Sequence, residues 1–322
     1  MSVYAERPWI DSYEPGVSPE LDIPEYPLFH LLEESAAKYP ENTALIFKGR
    51  NISFRELNEL ADAVAAGLAA NGFKKGDRAV IYMVNMPQFV ISFFGILKAG
   101  GIVIATNPLY TARELEHQLA DCGAETVFVM SLYYDLLKKV QAGGNTKVKR
   151  VIVTNIKEYL PTHLRLLFTL VKEKKDGHRI SILPGDMWFQ DFLAAGKQAP
   201  KPEVKVEADD VALLQYTGGT TGLSKGAVAL HRNLVANTHL VRAWLTDTAE
   251  GEEIWLTAIP LFHSFGMIVA MAFGIMAAGK LVLIPDPRDQ ADLLSSINKY
   301  LSLIHISEPT RPNAPSRMPS SA

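Results

Sequence analysis

Apolar positions along the chain fall into recurring rhythms, and each rhythm predicts an element. Leu28, Leu31, Leu32 and Ala36 recur at helical spacing up to Tyr39-Pro40, where the proline closes the run. The apolar stretch Thr43-Ala44-Leu45-Ile46-Phe47 reads as a strand turning at Lys48-Gly49. A helix follows. Ser53 and Glu56 have capping-box spacing, Leu57, Leu60, Ala61, Val64 and Leu68 form one stripe, and Asn71-Gly72 supplies the stop. The next strand is Ala79 to Val84. Strand, helix and strand with apolar runs on the strands predict an α/β fold of mainly parallel sheets with flanking helices.

The pattern continues in the same way. Gly100-Gly101 permits a close approach after a helix, and Thr111 with Glu114 caps another whose Leu115 and Leu119 face inward before it ends at Cys122-Gly123. The longest apolar run, Phe265 to Gly279, falls short of the roughly 20 residues a spanning helix needs and ends at Lys280, so it reads as a buried helix. Residues 1–27 are rich in proline and acids and read as an extended surface arm. Tyr159 to Lys175 combines an apolar face with a basic end. It reads either as a helix that lies on a membrane or as one packed on its own domain with a solvated end.

Composition narrows the class without naming a function. The chain has 322 residues, 48% hydrophobic and 21% charged, with net charge −3, which describes an ordinary globular protein and carries no basic stripe for nucleic acid. Its single cysteine, Cys122, excludes an intramolecular disulfide and a Cys-based metal cluster, and fits a reducing cytoplasm. The first residues show no signal-peptide pattern.

Candidate chemistry concentrates after the apolar run Val211-Ala212-Leu213-Leu214, which reads as a buried strand. The next stretch, Tyr216-Thr217-Gly218-Gly219-Thr220-Thr221-Gly222-Leu223-Ser224-Lys225-Gly226, holds four glycines, three threonines and one lysine. Glycines let successive N–H groups converge on an anion, threonine hydroxyls can donate to phosphate or ligate Mg²⁺, and Lys225 adds full positive charge. It is not a Walker A loop, because Ser224 precedes the lysine and Gly226 follows it. The competing reading is a flexible surface linker, against which stands the prompt return to apolar sequence from Ala227 to Leu234.

These residues resemble a known family. TGGTTGLSKG followed by His231-Arg232-Asn233-Leu234 resembles the signature loop of the AMP-forming adenylating enzymes, most closely the long-chain fatty-acid–CoA ligases. Two further blocks carry the same resemblance: LKAGGIVIATNPLYTARELEHQLADCGA (97–124), which is also readable as pure scaffold, and Pro260-Leu261-Phe262-His263-Ser264-Phe265-Gly266-Met267. The resemblance implies the N-terminal part of the adenylate-forming fold and a two-step reaction. A fatty carboxylate attacks the α-phosphate of ATP to give acyl-AMP and pyrophosphate, and CoA thiolate then displaces AMP.

It also implies roles. Thr217, Gly218, Gly219, Thr220, Thr221, Gly222 and Lys225 would hold the phosphates, with Thr217 or a neighbouring threonine helping to position Mg²⁺. His263 would touch the adenylate and orient the carboxylate. Phe265, Gly266, Met267 and the apolar helix with Ile268, Met271, Ala272 and Ile275 would line the acyl site. Without the resemblance, His263 beside aromatics reads as a core histidine. Some relatives carry a gating tryptophan near Met267, so no gating role passes to that residue. The implied cofactors and partners are ATP, Mg²⁺, CoA and fatty acid. A cytoplasmic location, with peripheral membrane contact or a homodimer, is compatible with the resemblance.

The resemblance runs over about residues 8–300. LSLIHISEPTR (301–311) instead resembles a translated sequencing-library adapter, so residues 301–322 are expected to be a non-biological, disordered tail; the alternative is a natural Pro/Ser-rich tail. The family's adenine and ribose segments, Mg²⁺-binding glutamate and mobile C-terminal domain are then expected to be missing, and the chain to be inactive or nearly so. The other function class is a non-catalytic nucleotide- or acyl-binding module that ends naturally near this length.

Overall fold

Alternation along the strands decides the architecture. The computed structural model describes residues 3–217, 224–300, 304–305 and 308–309. The strands are β1 (Thr43–Phe47), β2 (Arg50–Ser53), β3 (Arg78–Tyr82), β4 (Ile102–Ala105), β5 (Thr126–Met130), β6 (Arg150–Thr154), β7 (Met187–Trp188), β8 (Val211–Thr217), β9 (Lys225–Leu230), β10 (Ile254–Thr257) and β11 (Lys280–Leu283). They form a seven-stranded sheet ordered β7-β6-β5-β3-β4-β8-β9 and a four-stranded sheet ordered β10-β11-β1-β2. All pairings are parallel except β8 with β9 and β1 with β2.

Odd and even strand residues enter different cores. Ala79 and Ile81 of β3, Val103 of β4 and Phe128 of β5 pack into a large cluster between the sheets. Val80, Tyr82, Ile104, Val127 and Val129 pack the opposite face, against Leu115 and Leu119 of the helix Ala112–Cys122 and Leu137 of the helix Ser131–Ala142. The four-stranded sheet divides likewise, with Leu45 and Leu281 inward and Ile46, Leu256 and Val282 under Leu293 and Ile297 of the helix Gln290–Tyr300. Between the sheets lie the helices His30–Lys38, Phe54–Ala70 and Pro87–Lys98. Both faces of each sheet are covered, as the near-continuous apolar strands require.

Several predicted details appear as read. Thr111 and Glu114 form a reciprocal capping box, and Gly123 closes that helix in the left-handed region at φ 62°. The Ser53–Glu56 pair is only half a box. The Ser53 hydroxyl accepts from the Glu56 N–H, but the Glu56 carboxylate is turned to Arg50 at 3.2 Å. The apolar stretch from Phe265 is helical, with Met267, Met271 and Ile275 fully buried. Of residues 301–322, those described are Ile304–His305 and Glu308–Pro309, which pair antiparallel.

Candidate functional site

Parallel strands point their carboxyl ends the same way, and loops that leave those ends enclose ligands in open α/β sheets. Here the rule applies to both sheets. Val84 and Asn85 after β3, Pro108 and Leu109 after β4, Leu132 and Tyr133 after β5 and Ile156 after β6 line one side of a cavity of about 780 Å³. Ala258, Pro260 and Phe262 after β10 and Ile284 to Asp289 after β11 line the other. Leu164, Leu167, Phe168 and Val171 complete it. Its size falls within the range of about 300–1,000 Å³ usual for small-molecule sites. The lining is mostly apolar. Charged groups sit among it: Lys48, which pairs with Asp292 at 2.6 Å, Arg288, which pairs with Asp286 at 2.8 Å, and Lys172.

The glycine- and threonine-rich stretch falls between two strands in the chain. It connects β8 to β9, whose antiparallel register sets Thr217 opposite Lys225 and Tyr216 opposite Gly226. Thr217 and Lys225 are both exposed, whereas Tyr216 is buried. Gly218, Gly219, Thr220, Thr221 and Gly222 lie outside the described residues.

The flanks of the stretch are anchored by residues that the sequence offered only as scaffold. The Tyr216 hydroxyl donates to the Asp121 carboxylate, and burial with that anion drives the phenol upward from its ordinary pKa. A Cβ on Gly226 would come within 3.1 Å of the Tyr216 ring, a tight contact that the ring would have to yield to by a few tenths of an ångström. On the far side of the stretch, His117 Nε2–H donates to the Ser224 carbonyl at 2.9 Å. The helix Ala112–Cys122 thus holds both ends of the hairpin.

One side chain joins this hairpin to the His263 segment. Gln215 of β8 donates through Nε2 to the Phe262 carbonyl at 3.2 Å. The segment itself is a tight turn. The His263 N–H donates to the Pro260 carbonyl at 3.0 Å, its carbonyl accepts from the Met267 N–H at 2.9 Å, and Nδ1 accepts from the Phe265 N–H at 3.3 Å. The neutral ring therefore carries its proton on Nε2, and the side chain is exposed. A Cβ on Gly266 would lie 2.3 Å from the Pro260 oxygen, so only glycine closes the turn.

Thr217, Lys225 and His263 are not among the residues that line the cavity; the Gln215–Phe262 hydrogen bond links the hairpin that carries the first two to the turn that carries the third. Met267 and Met271 are not part of its lining; both are fully buried between the sheets. Phe265 is 39% exposed and also stands outside the lining. Sequence reading missed Asn85, Gln215 and His117, lone polar residues whose partners are main-chain groups distant in sequence.

The described residues include no group of three or more His, Cys, Asp or Glu able to hold a metal. A Mg²⁺ ion here would rest on the Thr217 hydroxyl and on the oxygens of a phosphate ligand, which suits an ion that is held mainly through its substrate.

Comparison with known proteins gives the family and agrees with the fold. The AMP-binding enzyme family matches residues 32–309. A long-chain-fatty-acid–CoA ligase from Bacillus subtilis is 34% identical over 307 residues, covering 95% of this chain and 54% of the relative. One from Salmonella typhimurium is 38% identical over 299 residues, covering 92% and 53%. Among solved structures, a long-chain-fatty-acid-CoA ligase from Archaeoglobus fulgidus superposes with a TM-score of 0.70 at 26% identity, covering 90% of this chain and 53% of that one. The chain spans about half the length of the curated relatives it matches.

Proposed function

Given that this chain belongs to the AMP-binding enzyme family, we propose that it forms the ATP- and acyl-binding part of an AMP-forming ligase that activates a medium- or long-chain fatty acid for transfer to CoA. The observation that carries the reading is the apolar cavity at the carboxyl ends of both sheets, tied through Gln215 and Phe262 to the Thr217–Lys225 hairpin. An acyl chain needs an apolar slot, and its carboxylate must reach a polyanion. Those two demands meet at this junction.

In this reading Thr217, the loop amides and threonines of residues 218–222, and Lys225 cradle the phosphates. The approach of a carboxylate to ATP brings negative charge onto negative charge, so positioning and electrostatic neutralisation dominate the chemistry. Mg²⁺, when bound, supplies further neutralisation. His263, with Nε2–H exposed, donates to the carboxylate or the adenylate it becomes. In the same reading residues 28–300 are the nucleotide- and acyl-binding domain and residues 1–27 an arm along it.

Calorimetric titration tests the proposal on the chain itself. ATP binding is expected to weaken at least tenfold in Lys225→Ala and in Thr217→Ala, while palmitate binding stays within twofold. ATP affinity indifferent to both changes overturns the phosphate role.

A further inference from the structure

One histidine in the cavity wall is held at every polar atom but one. His178 is 7% exposed and lines the cavity. Its Nδ1 shares a hydrogen bond of 3.0 Å with the hydroxyl of Ser131, a residue 1% exposed that directly follows β5. Its backbone N–H donates to the Glu173 carbonyl at 2.8 Å, and its carbonyl accepts from Nδ2 of Asn155, just past β6, at 3.0 Å. The ring meets the Phe168 ring edge-on, with centroids 5.5 Å apart. Among the described residues Nε2 has no hydrogen-bond partner.

A buried nitrogen left open in an apolar wall has lost its water, and only a ligand atom that pairs with it offsets that loss. A ring serving as core alone leaves the nitrogen unexplained, since leucine or phenylalanine would fill the same wall beside Leu164 and Val171 without the cost.

The chemistry of the partner follows from the surroundings. Burial holds the imidazole below its ordinary pKa, with Asp176 and Glu173 opposing, so the ring is neutral. Because its other nitrogen is shared with a hydroxyl, Nε2 can present either an N–H or a lone pair. A ligand hydroxyl suits both, since it donates and accepts. Lys172 and Asp176, the charged lining residues close to His178 in the chain, are exposed and of opposite sign, so they favour neither an anionic nor a cationic end group. Glu173 is buried and held by Lys157 at 2.5 Å.

Distance follows from the sheet. In the order β7-β6-β5-β3-β4-β8-β9 the strand that carries Gln215 is three places from β5, which at about 4.8 Å per strand is roughly 14 Å. Gln215 holds Phe262 in one part of the cavity wall, and Ser131 holds His178 in another. An extended acyl chain of medium length covers that separation, with its carboxylate toward Phe262 and its last carbon toward Nε2.

We propose that His178, oriented by Ser131, is a specificity residue that hydrogen-bonds a hydroxyl at the far end of the acyl chain, so that the cavity selects ω-hydroxy fatty acids over unsubstituted ones. This selectivity rests on the fatty-acid reading above, since without an acyl chain there is no tail to recognise. A site built to pair a hydroxyl discriminates strongly against the analogue that lacks it, because its own polar group is then left unpaired.

Displacement titration of the full chain with 10-hydroxydecanoate, 12-hydroxydodecanoate and 16-hydroxypalmitate, each beside its unsubstituted parent, tests this. At one of these lengths the hydroxy acid is expected to bind at least tenfold more tightly than its parent. His178→Leu is expected to invert that order at the same length, and Ser131→Ala to reduce the preference several-fold, both with unchanged far-UV circular dichroism. His178→Gln keeps a hydrogen-bonding side chain and should retain part of the preference. A second readout needs no variant. In protein with isotope-labelled histidines, the favoured hydroxy acid should shift the nuclear magnetic resonance of His178 Nε2, and its parent should not. Preference for the unsubstituted acid at every length, a preference that survives His178→Leu, or a resonance indifferent to the hydroxyl overturns the assignment. Binding of neither kind of acid sinks the fatty-acid reading and the selectivity together, whereas binding of the parents with no gain from the hydroxyl sinks the selectivity alone.

Discussion

The side chain of Asn85 fixes the main chain at Leu261, a residue of the other sheet's connection. Its Oδ1 accepts from the Leu261 N–H at 2.8 Å, and its Nδ2 donates to the carbonyls of Thr257 at 3.0 Å and Ile259 at 2.8 Å. Asn85 follows β3 in the seven-stranded sheet, while Thr257 ends β10 in the four-stranded one. One amide therefore sets the position of the Pro260–His263 turn relative to the parallel strands. Asn85→Ala leaves a buried N–H without a partner and is expected to cost about 2–4 kcal/mol. Urea unfolding measures this directly; a loss under about 1 kcal/mol would mean that water replaces the amide freely.

Gly266 is fixed by space and Gly72 by conformation, so alanine should separate them. A Cβ at Gly266 would lie 2.3 Å from the Pro260 oxygen, whereas at Gly72, with φ +80°, nothing stands within 4 Å. Gly72→Ala is expected to cost about 1–2 kcal/mol through left-handed backbone alone. Gly266→Ala should cost about 3 kcal/mol or more by forcing backbone apart, and should also weaken the hold on His263. Parallel denaturation curves of the two variants decide whether the order is right.

What could be read from the chain follows from how local each cause is. The Thr111–Glu114 box involves four consecutive positions and an open helix end, and it formed as read. Ser53–Glu56 has the same spacing, yet Arg50 across the β2 strand takes the Glu56 carboxylate, a competitor that spacing does not register. The apolar runs of β1 and β3 indicated sheets covered on both faces, but not that β1 would pair with β11, more than two hundred residues later. The candidate site divides the same way. Thr217 and Lys225 carry a dense local signal, while Gln215 and Asn85 act through main-chain carbonyls that no side-chain pattern reveals. The exposed face of Thr162–Lys172 was legible as amphipathic, but its continuity with the cavity depended on where Leu167 and Val171 came to rest.

Acid should loosen the junction between Leu28, just before the helix His30–Lys38, and the helix His231–Trp244 that follows β9. Buried His231 accepts the Leu28 N–H on Nδ1 at 3.0 Å, which requires an unprotonated nitrogen. Burial pulls its imidazole from 6.5 down to about 4, with Asp210 opposing and Lys75 assisting. Between those two values the unfolded chain binds the extra proton, so stability is full above about pH 6.5 and falls as pH drops toward 4. The loss is on the order of 3 kcal/mol. His231→Asn keeps an acceptor that does not titrate and should flatten this part of the profile, as urea midpoints at pH values across the window will show.

Acyl chains should report the cavity by length. If the slot that begins at Phe262 receives the chain one methylene after another, each added CH₂ contributes about 0.8 kcal/mol, or about fourfold in affinity, until the space is filled. Displacement titrations from octanoate to palmitate are expected to follow that slope and then level off. Val84 stands at the carboxyl end of β3 on the cavity wall, half-buried and facing the gap between the sheets. Val84→Trp places an indole in the slot, so the plateau should arrive at a shorter chain, with palmitate affinity at least tenfold lower and ATP affinity within twofold of the original. An unchanged length profile in that variant would show that the chain lies elsewhere, most directly along Met267 and Met271, which would then have to part to admit it.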